Sequence, residues 1–172
     1  MTRATAPARD RDIGWWQDAG MSDATPEHFD VLVIGAGISG ICAAHYLRTD
    51  SPWASYAVLE GRQSMGGTWD LFRYPGVRSD SSIFTLCWSW EPWSGDEYVA
   101  DGDQIRDYME SAARKHGISP HIRFHTTVTS ADWDSTTDTW TVHVTENGER
   151  KTYRSRLVFF GSGYYNLSLI HI

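Results

Sequence analysis

Polar, unpatterned sequence runs through residue 28 and then turns abruptly apolar. Phe-Asp-Val-Leu-Val-Ile at 29–34 is a short apolar run ending at a glycine, the pattern of a parallel strand covered on both faces. Over residues 38–48 the spacing changes, and Ile38, Ile41, Ala44 and Leu47 fall roughly on one side of a helix. Tyr-Ala-Val-Leu-Glu at 56–60 reads as a second strand and completes a βαβ unit. Residues 61–100 keep no period; Gly66-Gly67, Pro75-Gly76, Pro92 and Ser94-Gly95 break them into turns. Their many aromatic residues argue against disorder, and so long a loop inside a compact domain is usually functional. An amphipathic helix is predicted over 102–116, with Ile105, Tyr108, Met109 and Ala112 on one face. Asp101 and Gln104 form a capping box at its start and Gly117 ends it. Three strands follow: 122–132, then 139–145 with Trp140, Val142 and Val144 on one side, then a last strand ending in Leu157-Val158-Phe159-Phe160. Asn147-Gly148 between the last two is a strong hairpin signal.

Composition narrows the class. A chain of 172 residues, 41% apolar and 22% charged, suffices for one domain with a real core. A formal charge of −7 speaks against a non-specific grip on nucleic acid or anionic lipid. The two cysteines, Cys42 and Cys87, form no CxxC pair, which fits a reducing cytosol and argues against a flavoprotein disulfide reductase. The most apolar stretch, 31–47, is too short for a confident membrane span and is interrupted by three glycines and His45. Residues 1–28 lack the apolar core of a secretory signal and read as a flexible leader, with Met21 as an alternative start. The expected location is cytoplasmic, with peripheral membrane association left open. His121 and His125 lie four apart, but Pro120 and strand-type neighbours argue against a zinc helix, so no metal site is expected. The nine tryptophans are read first as packing residues.

The candidate chemistry lies at the tip of the first strand. Gly35-Ala36-Gly37-Ile38-Ser39-Gly40 matches GxGxxG between a strand and a helix. Gly35 allows the tight turn, Gly37 lets backbone approach a pyrophosphate, and Gly40 lets helix and strand pack closely. Backbone N–H groups at the helix start, around Ile38 and Ser39, then face the phosphates. Glu60, 20 residues beyond Gly40, stands where an acid bonds the ribose hydroxyls, so this site should prefer FAD or NAD over NADP. The fingerprint does not choose between those two. Element order favours FAD: the meander after the long helix breaks the βα rhythm of NAD dehydrogenases, as it does in two-dinucleotide flavoproteins.

Over residues 28–166 the sequence resembles the class B flavoprotein monooxygenases, Baeyer–Villiger and flavin-containing monooxygenases, above all the ethionamide-activating subgroup. The likeness is strongest over residues 60–80, where Gly66-Gly67-Thr68-Trp69, Arg73-Tyr74-Pro75-Gly76 and Arg78-Ser79-Asp80 follow in order. The resemblance implies an α/β, Rossmann-like FAD-binding domain of the FAD/NAD(P)-binding superfamily over 29–166. It implies that Gly67, Thr68 and Trp69 line the flavin side of FAD. Asp80 would sit near the reactive edge of the flavin and orient an arginine that contacts the nicotinamide, with Arg78 and Ser79 in the same wall. Val128 would hold the adenine through its backbone, and Gly161 and Gly163 would form the later glycine turn. The implied reaction uses FAD and NADPH to pass one oxygen of O2 through a flavin C4a adduct to a small-molecule ketone or aldehyde, or to sulfur or nitrogen. In physical terms, Gly66 and Gly67 permit close backbone approach to a bulky ring, and Pro75-Gly76 is a rigid turn able to aim Arg78 and Asp80. Ser79, Asp80, Ser81 and Ser82 are also helix-capping types.

A second dinucleotide fold for NADPH, the FxGxxxHxxxW signature and the arginine partner of Asp80 do not occur in these residues. Leu167-Ser168-Leu169-Ile170-His171-Ile172 reads as translated transposase-type adapter sequence, so the chain is expected to be an N-terminal fragment without activity of its own. The rival readings are another FAD-dependent oxidoreductase, such as a flavin reductase or amine oxidase, a non-catalytic dinucleotide-binding module, and an NAD-dependent dehydrogenase. Substrate, regiochemistry and oligomeric state are not legible here.

Overall fold

The computed structural model describes residues 25–163, so the expectations placed on residues 1–24 and 164–172 lie outside the described residues. Six strands form one mixed sheet in the order β3-β2-β1-β6-β5-β4. The parallel half holds β1 (Glu27–Ile34), β2 (Tyr56–Leu59) and β3 (Ile122–Arg123), with β6 (Glu149–Phe160) parallel to β1. The antiparallel half is the meander of β4 (Thr126–Asp134), β5 (Thr139–Glu146) and β6.

The unbroken apolar reading of the first strand corresponds to burial on both faces. Val31, Val33, Tyr56, Val58 and Ile122 face a core shared with α1 (Ile38–Asp50) and α4 (Gly102–Lys115). Phe29, Leu32, Ala57 and Leu59 face a second core completed by Val142, Val144 and Tyr153. Strand β1 opens two residues earlier than its apolar run because Glu27 pairs with Tyr153 and bonds the Arg123 guanidinium at 2.6 Å. That guanidinium also lies 5.1 Å from the ring centres of Phe29 and Tyr153.

Helix α4 has the expected ends. The Asp101 backbone N–H donates to Gln104 Oε1 at 2.9 Å, completing the capping box. At the exit Gly117 adopts φ +64°, and the Gly117 and Ile118 N–H groups return to Arg114 and Ala113 carbonyls in a Schellman arrangement. The Asn147-Gly148 turn has positive φ at both residues, as a tight hairpin requires. The single strand expected over 122–132 is two: His125 takes φ +52°, ending β3 as a parallel partner of β2 and starting β4 as the outer strand of the meander. The 61–100 stretch is mostly turns, but holds two short helical turns, α2 (Thr68–Leu71) and α3 (Ile83–Leu86).

Candidate functional site

At the carboxyl ends of β1 and β2 three glycine turns meet. The first is the GxGxxG turn. Gly35 has φ +96°, and a Cβ there would stand 2.7 Å from the Gly161 carbonyl oxygen. A Cβ on Gly40 would stand 1.8 Å from the Gly35 carbonyl oxygen, so helix and strand approach as closely as the third glycine of the motif allows. The second turn, Gly66-Gly67, packs directly on the first: a Cβ on Gly67 would lie 2.9 Å from the Gly37 Cα, and one on Gly37 3.4 Å from the Gly67 Cα. The Gly66 N–H donates to the Ala36 carbonyl at 3.0 Å. Gly37 is thus constrained by the neighbouring turn as well as by any ligand it would admit. The third turn, Gly161-Ser162-Gly163, is tied to β1 by the Gly161 N–H on the Ile34 carbonyl at 2.8 Å.

Between these turns lies a cleft of about 480 Å³. Of the sequence-predicted residues, Gly35, Gly37, Ile38, Ser39, Glu60, Gly67, Thr68, Trp69, Val128 and Gly163 line it, while Gly40 packs behind its floor. The first intrahelical bond of α1 runs from Ile41 to Gly37, which leaves the N–H groups of Ile38, Ser39 and Gly40 outside the helical ladder at the positive end of a 13-residue helix.

Glu60 is only 7% exposed. Its Oε2 accepts the Ala36 N–H at 2.8 Å and its Oε1 accepts the Arg62 N–H at 3.0 Å. A carboxylate has about four lone-pair sites, so acceptor capacity remains for a hydroxyl in the cleft. Arg78, Ser79 and Asp80 are not among the lining residues. The Arg78 backbone pairs antiparallel with that of Asp101, buried Ser79 exchanges bonds with the Ala100 backbone, and Asp80 is exposed with no hydrogen bond among the described residues. The cap of α3 is Ser82, not Asp80.

Sequence reasoning passed over Arg62, which lines the cleft beside Glu60 and donates to the Gly67 carbonyl at 3.0 Å. The available signal was its place two residues past Glu60, in the turn that leaves β2. Thr126 and Thr127 also line the cleft. His121 stacks on Tyr56 at 4.4 Å, and the His125 N–H bonds the Arg62 carbonyl. Among the described residues no group of three or more histidine, cysteine or acidic side chains could hold a metal, and no helix is long and apolar enough to cross a membrane.

Comparison with known proteins agrees with this geometry. The family model for an NAD(P)-binding Rossmann-like domain matches residues 33–97. The FAD-containing monooxygenase EthA of Mycobacterium tuberculosis (strain ATCC 25618 / H37Rv) is 51% identical over 140 residues, 81% of this chain and 29% of EthA. A putative FAD-containing monooxygenase of the same strain, MymA, is 44% identical over 142 residues, 81% of this chain and 29% of MymA. The crystal structure of cyclohexanone monooxygenase from Rhodococcus sp. Phi1 bound to NADP+ superposes with a TM-score of 0.73 at 30% identity, over 81% of this chain and 26% of that one. The chain therefore spans under a third of the length of these relatives. Its sheet order, its glycine-built cleft and these likenesses place it in the class B flavin monooxygenase family, as the N-terminal, dinucleotide-binding portion of such a protein.

Proposed function

We propose that the cleft holds FAD, and that the chain is the flavin-binding part of an NADPH-dependent monooxygenase that transfers one oxygen of O2 to a ketone or aldehyde, or to sulfur or nitrogen. The supporting observation is the meeting of three glycine turns around one cleft, with a buried carboxylate at the end of β2. A Cβ on Gly67 would stand 2.9 Å from the Gly37 Cα, so a flat or extended ligand beside this turn would meet backbone rather than a side chain. When bound, FAD supplies the redox chemistry, accepting hydride from NADPH and activating dioxygen.

The protein's own part is to bind and orient. The free N–H groups at Ile38 and Ser39, which line the cleft, receive the diphosphate on the positive end of α1. Glu60 accepts from a ribose hydroxyl with the lone pairs left by Ala36 and Arg62. Val128, on the β4 side, offers its backbone to the adenine. Gly67, Thr68 and Trp69 border the ring. Asp80 serves as a positioning residue beyond the cleft, with Arg78 and Ser79 holding its segment against Ala100 and Asp101. The NADPH site, the substrate pocket and a cytoplasmic location of the whole enzyme belong to the same proposal. Native purification followed by denaturation and mass spectrometry of the released ligand tests it. Stoichiometric FAD is expected, and NAD(H) in its place would contradict the reading.

A further inference from the structure

The Arg62 guanidinium ties the carboxylate at the end of β2 to the Gly66-Gly67 turn and to Asp70 of α2. Its Nη2 donates to the Gly67 carbonyl at 3.0 Å, its Nε lies 3.4 Å from Glu60 Oε1, and its Nη1 lies 3.5 Å from Asp70 Oδ2. Through Glu60 it reaches the Ala36 N–H of the GxGxxG turn. Its own carbonyl accepts the His125 N–H at the bend between β3 and β4. Asp70 is not a lining residue; its side chain is 8% exposed and is gripped from behind by the Ser64 hydroxyl and by Arg73, which reaches on to Asp103 of α4.

We propose that Arg62 is a positioning residue of the cleft. Its guanidinium, shared among Glu60, the Gly67 carbonyl and Asp70, sets the distance between the nucleotide end, marked by Glu60, and the ring end, marked by the Gly66-Gly67 turn. This rests on the FAD reading above and deepens it. The main backbone tie between the first two glycine turns is the Gly66 N–H on Ala36, and glycines at positive φ resist displacement poorly on their own. A guanidinium suits the task because its rigid fork can serve three acceptors at once, whereas an ammonium is a point charge. A residue acting through its neighbours predicts that Asp70, which does not line the cleft, matters in the same way as Arg62.

The experiment is a double-mutant cycle on the full 172-residue chain, reading FAD affinity by flavin fluorescence and ring placement by the visible circular dichroism of bound flavin, with the melting temperature followed in parallel. Arg62→Ala and Asp70→Asn are each expected to weaken FAD binding about tenfold and to alter the flavin dichroism in the same sense. The double variant should be little weaker than either single one, because the two residues act as one unit. Arg62→Lys should recover only part of the loss, and it keeps the test open should Arg62→Ala fold poorly. Independent, multiplying effects overturn the inference. So does loss on Arg62→Ala with Asp70→Asn unchanged, which would mark Arg62 as a direct ligand contact. Wild-type chain that binds FAD alongside unaffected variants overturns this inference alone; wild-type chain that takes up no FAD overturns the cofactor reading together with it.

Discussion

The two ends of α1 are built on opposite principles. At its N-terminus the neighbours are backbone: Gly35, Gly37, Gly67 and Gly161 meet there, and a Cβ on Gly35, Gly40 or Gly67 would stand under 3.0 Å from a backbone atom. Toward its C-terminus the neighbours are rings. His45 stacks on Trp90 at 3.8 Å and 7°, Trp90 on Trp88 at 4.6 Å, and Trp88 on Tyr108 of α4 at 5.1 Å. The Tyr108 hydroxyl accepts the Trp88 N–H and donates to the Glu91 carbonyl, and the Glu91 carboxylate takes Lys115 and His116 at 2.8 and 2.7 Å. Burial pushes the Tyr108 phenol up to about 12, and the hydrogen bonds from Lys115 and His116 hold the Glu91 carboxyl below its usual range. The glycine end should therefore fail when an atom is added, and the ring end when atoms are removed. The first defect should be felt in ligand binding as well as folding, the second in folding alone.

The sharpest test of the ring end is Trp88→Ala. Trp88 is 7% exposed, and emptying a buried aromatic site costs about 3–5 kcal/mol, seen as a lower urea midpoint. The folded fraction should still bind FAD with unchanged affinity. Gly40→Ala is the converse. A methyl 1.8 Å from the Gly35 oxygen forces α1 off β1, a strain of about 3 kcal/mol or more, and FAD binding should fall with it. If Gly40→Ala were as stable as wild type, the close packing of strand and helix would be wrong. Next comes Glu60→Ala, which removes a charged hydrogen-bond acceptor worth roughly 1.5–3 kcal/mol and so weakens FAD binding about 10- to 100-fold by titration.

The smallest expected effect is a pH dependence confined to the ring end. Burial, and then the neighbouring His116, lower the His45 pKa from 6.5. The unfolded chain therefore binds a proton at His45 before the folded chain does. Its contribution vanishes above pH 6.5 and grows destabilising as pH falls below that value toward the folded pKa. Melting temperature should drop between about pH 7 and 5, and the drop should be shallower in His45→Gln, whereas Glu91, lowered from 4.5, adds its own loss only as pH falls further. An identical slope in the variant would remove His45 from the account.

The same contrast explains how much the sequence disclosed. Glycine demands are local, so Gly35, Gly37 and Gly40 could be singled out from spacing and flanking elements, Gly67 and Gly163 were named by the resemblance, and the structure gathers the turns they build around one cleft. The α4 cap, its Schellman exit and the Asn147-Gly148 hairpin are equally local. The ring layer was illegible beyond a general reading of tryptophans as packing, because its order depends on contacts between residues 45, 88, 90 and 108, which share no period. The split of 122–132 into β3 and β4 was hidden for the same reason: Ile122 and Arg123 choose β2 as a partner, a choice made across the sheet. Glu60 could be placed from the motif, but its bonds to Ala36 and Arg62, and hence the part played by Arg62, appear only once three distant segments converge.

Isothermal titration of FAD into the purified chain tests the central claim most directly. A glycine-built cleft with a buried carboxylate at its nucleotide end predicts saturable heat at one FAD per chain, and a yellow protein that keeps its colour through gel filtration. A flat titration, with colourless folded protein eluting from excess FAD, would contradict it.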